Sequence, residues 1–312
     1  MIRSKTIAAS MVVLATPSLA AYAPPEPVKS GETIVVTGQK SDKKAVRTEA
    51  VKFMRTVAVL PEDGQYARRK DPICAKVFGL DAQYNEIVEK RIRDVAQAVD
   101  APLAKPDCKL NLVVRFSEDA DAYIKKAKAL RPQLFSTIPI IELPRFYAST
   151  APVRWWYNLY PTDGSGRDFS IQTPQSLDLP LSISSKGFAR NTNSSVIDTN
   201  LIVNIQASTV VIDIDKVTGF PLDTIASYAA VLSLGHIRQD ADYNGAPSVL
   251  GIFNVANTIA DAPRDLTDWD YAYLRALYKT PLNRVARTQR SKIATGIANA
   301  LAGEYGLTPH PK

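Results

Sequence analysis

Asp240, Asp242 and Asn244 alternate along the run Asp240-Ala241-Asp242-Tyr243-Asn244-Gly245. Oxygen donors at every second position, ahead of a glycine that permits a sharp turn, form the first half of a calcium loop. The second half departs from that pattern, since Gly251 stands where a bidentate glutamate belongs. Aspartate and asparagine are also ordinary loop residues, so the run reads as a loop for which calcium is the only cofactor indicated. Other chemistry is scarce. The chain has two histidines, His236 and His310, and two cysteines, Cys74 and Cys108. Two histidines cannot build a three-histidine zinc site, and neither cysteine has a histidine near it in sequence to activate a thiolate. The cysteines most simply pair with each other, closing a loop of about 33 residues worth about 3–4 kcal/mol in chain entropy. Ser165 lies between two glycines but lacks the strand-to-helix frame of a nucleophile elbow.

The stretch that must position the Asp240–Gly245 loop is Phe220–Tyr278. Leu222, Ile225, Ala226, Ala229, Leu232 and Leu234 recur at helical spacing behind Pro221, which predicts a helix ended by Gly235 in a positive-φ conformation. A polar loop from Arg238 to Gly245 follows, then the apolar turn Pro247-Ser248-Val249-Leu250. A second helix starts at Thr267 as its cap, with Asp268 and Asp270 at the favourable end of the dipole.

Helix, glycine, polar loop, tight apolar turn and an acid-capped helix, in that order, resemble the metzincin branch of the zincin metallopeptidases. The family motif is H-E-x-x-H-x-x-G-x-x-H with a methionine-containing turn downstream. With the family glycine on Gly235, the three histidines fall at Tyr228, Leu232 and Arg238, the glutamate at Ala229 and the methionine at Leu250. Every metal ligand and the general base are replaced, and His236 stands one residue past the glycine, out of register. The resemblance implies an α+β, zincin-like fold: a mixed sheet, a long backing helix and a central former active-site helix. It implies no catalytic residue. A former cleft near Tyr228, Leu232, Arg238 and Tyr243 would be the place for a peptide or glycan.

Upstream, residues 1–20 read as an export signal: Arg3 and Lys5, the apolar run Ile7–Leu14, and a small-residue cleavage site at Ser18-Leu19-Ala20. The apolar run is too short to span a bilayer. Residues 21–50 have linker composition, and disorder is expected there. Within them, Glu32–Gly38 resembles the short segment ahead of the plug in TonB-dependent receptors, which adds a strand to its partner. A folded domain is expected over 51–303, with a tail at 304–312. Phe53–Leu60, Leu110–Phe116, Ile138–Leu143, Val153–Tyr160, Val196–Ile205 and Ser208–Ile214 read as strands. Asp81–Asp100 reads as an amphipathic helix burying Tyr84, Ile87, Val88, Ile92, Val95, Ala96 and Val99. Ser117 is the expected cap of a further helix, and Val285–Leu301 forms the last, with Arg284, Arg287 and Arg290 as a basic stripe. Adjacent Trp155, Trp156 and Tyr157 offer either a binding platform or a strand divided between core and surface.

The formal charge of +7 falls to +5 once Arg3 and Lys5 are removed (7 − 2). That excess suits loose attraction to anionic polymers or headgroups, and with no nucleic-acid motif it does not make a nucleic-acid footprint. Roughly 260 residues can bury one sizeable core, or two small ones. The reading is an exported periplasmic or extracellular protein that binds an envelope polymer, peptide or envelope protein without catalysis. Its rivals are a metal-dependent hydrolase working through Asp240 and Asp242, and an accessory of TonB-dependent uptake.

Overall fold

A computed structural model describes residues 42–59, 65–136, 138–162, 199, 202–239, 241–253 and 262–303. The export signal, the Glu32–Gly38 segment, Ser165, Asp240 and His310 lie outside the described residues.

The first element corrects two expectations. Residues Lys43–Val57 form a helix, α1, where the sequence reads as linker and then as a strand from Phe53. Its buried residues are Ala50, Phe53, Met54 and Val57. That three-and-four spacing is helical, and it outweighs the β-branched composition of Thr56 to Val59. Asp42 accepts the Lys44 N–H as the cap.

Among the described residues four strands form one sheet in the order β1-β2-β4-β3: β1 (Ala75–Phe78), β2 (Leu112–Ser117), β3 (Val153–Thr162) and β4 (Ile202–Asp213). The first three in that order run parallel, and β3 joins antiparallel at the edge. The fold is therefore α+β with a mixed sheet. Helix α2 (Ala82–Ala98) supplies the β1-to-β2 crossover that parallel strands require. It buries Val88, Ile92, Val95 and Ala96, while Tyr84 and Ile87 stay exposed. Gly79 makes its entry possible: φ is +103°, and a Cβ would sit 2.0 Å from the Phe116 carbonyl oxygen. Cys74 and Cys108 bracket this unit at disulfide distance, with their Cα atoms 5.8 Å apart.

Helix α3 (Ala120–Leu130) is capped by Asp119, not Ser117; the Asp119 carboxylate accepts the Ala122 N–H. The expected strand at Ile138–Leu143 is instead a turn leading into a short helix, α4 (Leu143–Ala148). Pro139 and Pro144 withhold donors that a strand would need. From Ile202 onward the two strands expected between Val196 and Ile214 are one, β4, and residues 196–201 apart from Thr199 lie outside the described residues. Their apparent break is a register shift in which Asn158 faces Ala207 and Leu159 faces Ile205, leaving Gln206 unmatched. Three further helices follow: α5 (Leu222–Leu234), α6 (Asp268–Lys279) and α7 (Ala286–Leu301). Thr267 and Asp270 complete a capping box on α6.

Alternate residues of the sheet feed two separate cores. Val77, Val114, Trp155, Tyr157, Val210 and Ile212 join the larger one with α1, α2, α5, α6 and α7. Trp156 and Val211 join a smaller one with α3, the single turn Pro132–Phe135 and α4.

Candidate functional site

Helix α5 is apolar or small on every side, and from Thr224 to Leu234 every residue is buried. A helix of that kind belongs in a core, with other elements on all faces. Helix α2 packs along it, and Arg91 of α2 donates to the Ser227 hydroxyl at 2.9 Å. Ser227 in turn donates to the Asp265 carboxylate at 2.7 Å. Asp265 is also ion-paired to Arg91.

Burying the C-terminal end of such a helix creates a specific difficulty, because its last four carbonyls have no partner within the helix. Here each finds one. The Val231 carbonyl accepts the Gly235 N–H at 3.2 Å. The Leu232 carbonyl accepts the Tyr157 hydroxyl at 2.7 Å, the Ser233 carbonyl accepts Arg69 Nε at 3.1 Å, and the Leu234 carbonyl accepts the Tyr278 hydroxyl at 2.9 Å. The guanidinium of Arg69, 2 % exposed, adds positive charge where the helix dipole is negative. It also reaches the Ser208 hydroxyl and the Asn111 carbonyl. Burial lowers its pKa. Tyr157 accepts the Ile237 N–H at 3.2 Å as well as donating, and burial drives its pKa up; that of Tyr278 is pushed up to about 12 by the same cause.

Gly235 ends the helix in extended backbone, φ −115°, not in the positive-φ form expected for it. A Cβ there would stand 3.1 Å from Ile237 Cδ1, a tight approach that the end of that side chain would have to yield to. The exit strand then pairs with α1's end: the Val59 N–H donates to the His236 carbonyl and the Arg238 N–H to the Val57 carbonyl. It is held against edge strand β3 as well, through Trp155 Nε1 on the Ile237 carbonyl at 3.1 Å and Gln239 on the Trp155 carbonyl. His236 meets the Tyr157 ring edge-on at 5.0 Å, and burial lowers its pKa to about 4. It stays neutral near pH 7.

Of the residues assigned to a former cleft, Tyr228, Leu232 and Tyr243 are buried and Arg238 is partly so. Tyr228 and Leu232 are one helical turn apart on α5. The Tyr228 ring packs edge-on against Phe253 at 5.0 Å, and burial raises its pKa. The Tyr243 hydroxyl donates to the Arg238 carbonyl. The turn holding Leu250 is locked to α6, since Asp270 accepts the Val249 N–H at 2.9 Å and the Ser248 hydroxyl. Thr267 donates to the Pro247 carbonyl at 2.7 Å. In the acidic loop, the Asp242 carboxylate accepts the Asn244 N–H at 2.8 Å, a local turn bond, and both residues are exposed. Asp240 lies outside the described residues. Among the described residues no three His, Cys, Asp or Glu side chains come together as a metal site.

The aromatic triplet is neither a platform nor a core-and-surface pair: Trp155, Trp156 and Tyr157 are all buried, on opposite faces of β3. Of the arginines expected as a stripe on α7, Arg287 is exposed while Arg284 and Arg290 are partly buried. Among the described residues no helix is long and apolar enough to cross a membrane. The residues missed by sequence reasoning are Arg69, Tyr157 and Tyr278 as closers of α5. Nothing in their local sequence marks that role.

The molecule is thus an α+β protein whose central helix is closed by two tyrosines and one arginine. No family model, no curated protein and no solved structure matches the chain.

Proposed function

We propose that this chain is an exported, non-catalytic protein on a zincin-like scaffold that has lost its metal, acting by binding in the cell envelope. One observation carries the reading: where the resemblance requires imidazoles, Tyr228 and Leu232 are packed into the core and Arg238 is fixed by its backbone to Val57. Catalytic zinc needs about three nitrogen or oxygen ligands and an open water position. A buried tyrosine against Phe253 and a leucine with no exposed surface offer neither. Three features of the architecture support the scaffold assignment: the mixed sheet with an antiparallel edge, the long helix α2 behind it, and α5 following β4 after the single turn Asp215–Val217. The cysteine pair at disulfide distance suits an oxidising compartment.

Elemental analysis of the purified full-length chain, with a peptide-hydrolysis assay run on the same sample, tests this. Zinc well below one atom per chain and no hydrolysis are expected. One zinc per chain, with hydrolysis abolished by a chelator, would overturn the reading.

A further inference from the structure

The lobe formed by α3, the Pro132–Phe135 turn and α4 exposes apolar side chains. Ile141 is 85 % exposed, Leu130 69 % and Ile140 65 %. The two isoleucines occupy the middle of a closed turn: the Glu142 and Leu143 N–H groups both donate to the Pro139 carbonyl, at 2.8 and 3.2 Å. Each flank is anchored, by buried Ile138 before the turn and buried Phe146 after it. The central positions of turns ordinarily carry Gly, Asn, Asp or Ser. Two β-branched apolar residues held outward there are a preorganised apolar tip.

Charge decides what that tip meets. Between Lys125 and Arg145 the chain has five cations, Lys125, Lys126, Lys128, Arg131 and Arg145, and one acid, Glu142. All five cations are exposed. Lys128 of α3 lies 4.0 Å over the Tyr147 ring of α4, which places the basic helix beside the element that follows the tip. The acids of α3 sit in its opposite end, where Asp119 caps the helix and Asp121 pairs with Arg154 at 2.6 Å. An exposed apolar tip on a lobe rich in exposed lysine and arginine is the pattern of a surface that enters the headgroup layer while its cations meet lipid phosphates.

We infer that this lobe docks the protein on an anionic phospholipid bilayer, with Ile140 and Ile141 inserted and Lys125, Lys126, Lys128, Arg131 and Arg145 on the headgroups. The docking does not depend on the pseudo-peptidase reading. The test is sedimentation of the full chain with vesicles of phosphatidylcholine alone or with added phosphatidylglycerol, comparing wild type with Ile140→Ser/Ile141→Ser and Lys125→Glu/Lys126→Glu. The N-terminal apolar run is common to all of them, so differences report the lobe. Wild type is expected on the anionic vesicles, each double variant about tenfold weaker or more, with circular dichroism unchanged. Ile141→Trp should show a blue-shifted emission on anionic vesicles only. The inference is overturned if wild type ignores anionic vesicles, or if the isoleucine variant binds as wild type does. Self-association lost in that variant, without vesicle binding, assigns the tip to a protein contact instead and equally overturns it.

Discussion

The C-terminal end of α5 and the α3–α4 lobe border the same sheet and treat their side chains in opposite ways. At the helix end the polar side chains are turned inward: tyrosines and an arginine that would serve a ligand bond the last main-chain carbonyls instead. On the lobe, apolar groups that would serve a core are turned outward, on a segment rich in exposed cations. Residue type alone does not locate a functional surface. Aromatic and basic residues at the first region make it rigid, and leucine and isoleucine at the second make it adhesive.

The sharpest way to break this contrast is the same substitution at both places. Leu232→Ala should lower unfolding free energy by about 2–5 kcal/mol, the cost of a core cavity. Leu130→Ala should change it by less than about 0.5 kcal/mol, as surface changes do. Equal losses in urea titrations would mean that the lobe is not the open region described. A smaller effect refines the helix-end half. Tyr157→Phe removes a hydroxyl that both donates and accepts in the core, and should cost about 1–3 kcal/mol with no gain in exposure of the helix; a neutral result would show that the carbonyl finds another donor.

The smallest expected effect is a pH dependence. The folded pKa of His236, about 4, lies beneath its ordinary value of 6.5 because burial disfavours the cation. As pH falls below about 6.5 the unfolded chain takes up this proton and the folded one does not. Stability is therefore full above that value and declines toward pH 4. Because the residue as a whole is only half-buried, about 1–2 kcal/mol is expected over that window. His236→Phe should remove this component from the pH–stability profile, and an unchanged slope would place the titration elsewhere.

Much of the framework is legible in local pattern. Val88, Ile92, Val95 and Ala96 announce α2 by spacing, and Thr267 with Asp270 announces the start of α6, because caps and amphipathic faces are set within a few residues. Phe53–Leu60 misleads because β-branched residues sit at the end of a run whose buried positions are helical. Ile138–Leu143 misleads because Pro139 within it and Pro144 after it withhold donors, and its middle closes as a turn on the Pro139 carbonyl despite its apolar composition. The helix-end closure is illegible for a different reason. No periodicity connects Arg69, Tyr157 and Tyr278 to Leu232–Leu234; only the assembled sheet brings them together.

That separation has a bearing on how the chain reaches its native form. The three closers come from positions 69, 157 and 278, so no fragment containing α5 and only its immediate neighbours can satisfy the helix's final carbonyls. Such distant loop closures must be complete before the corresponding bonds return any free energy, which places them late and makes the transition slow and cooperative. Truncation from either side would strand bare acceptors in an apolar interior, and a chain emerging from the ribosome stays unfinished until residue 278 has passed through.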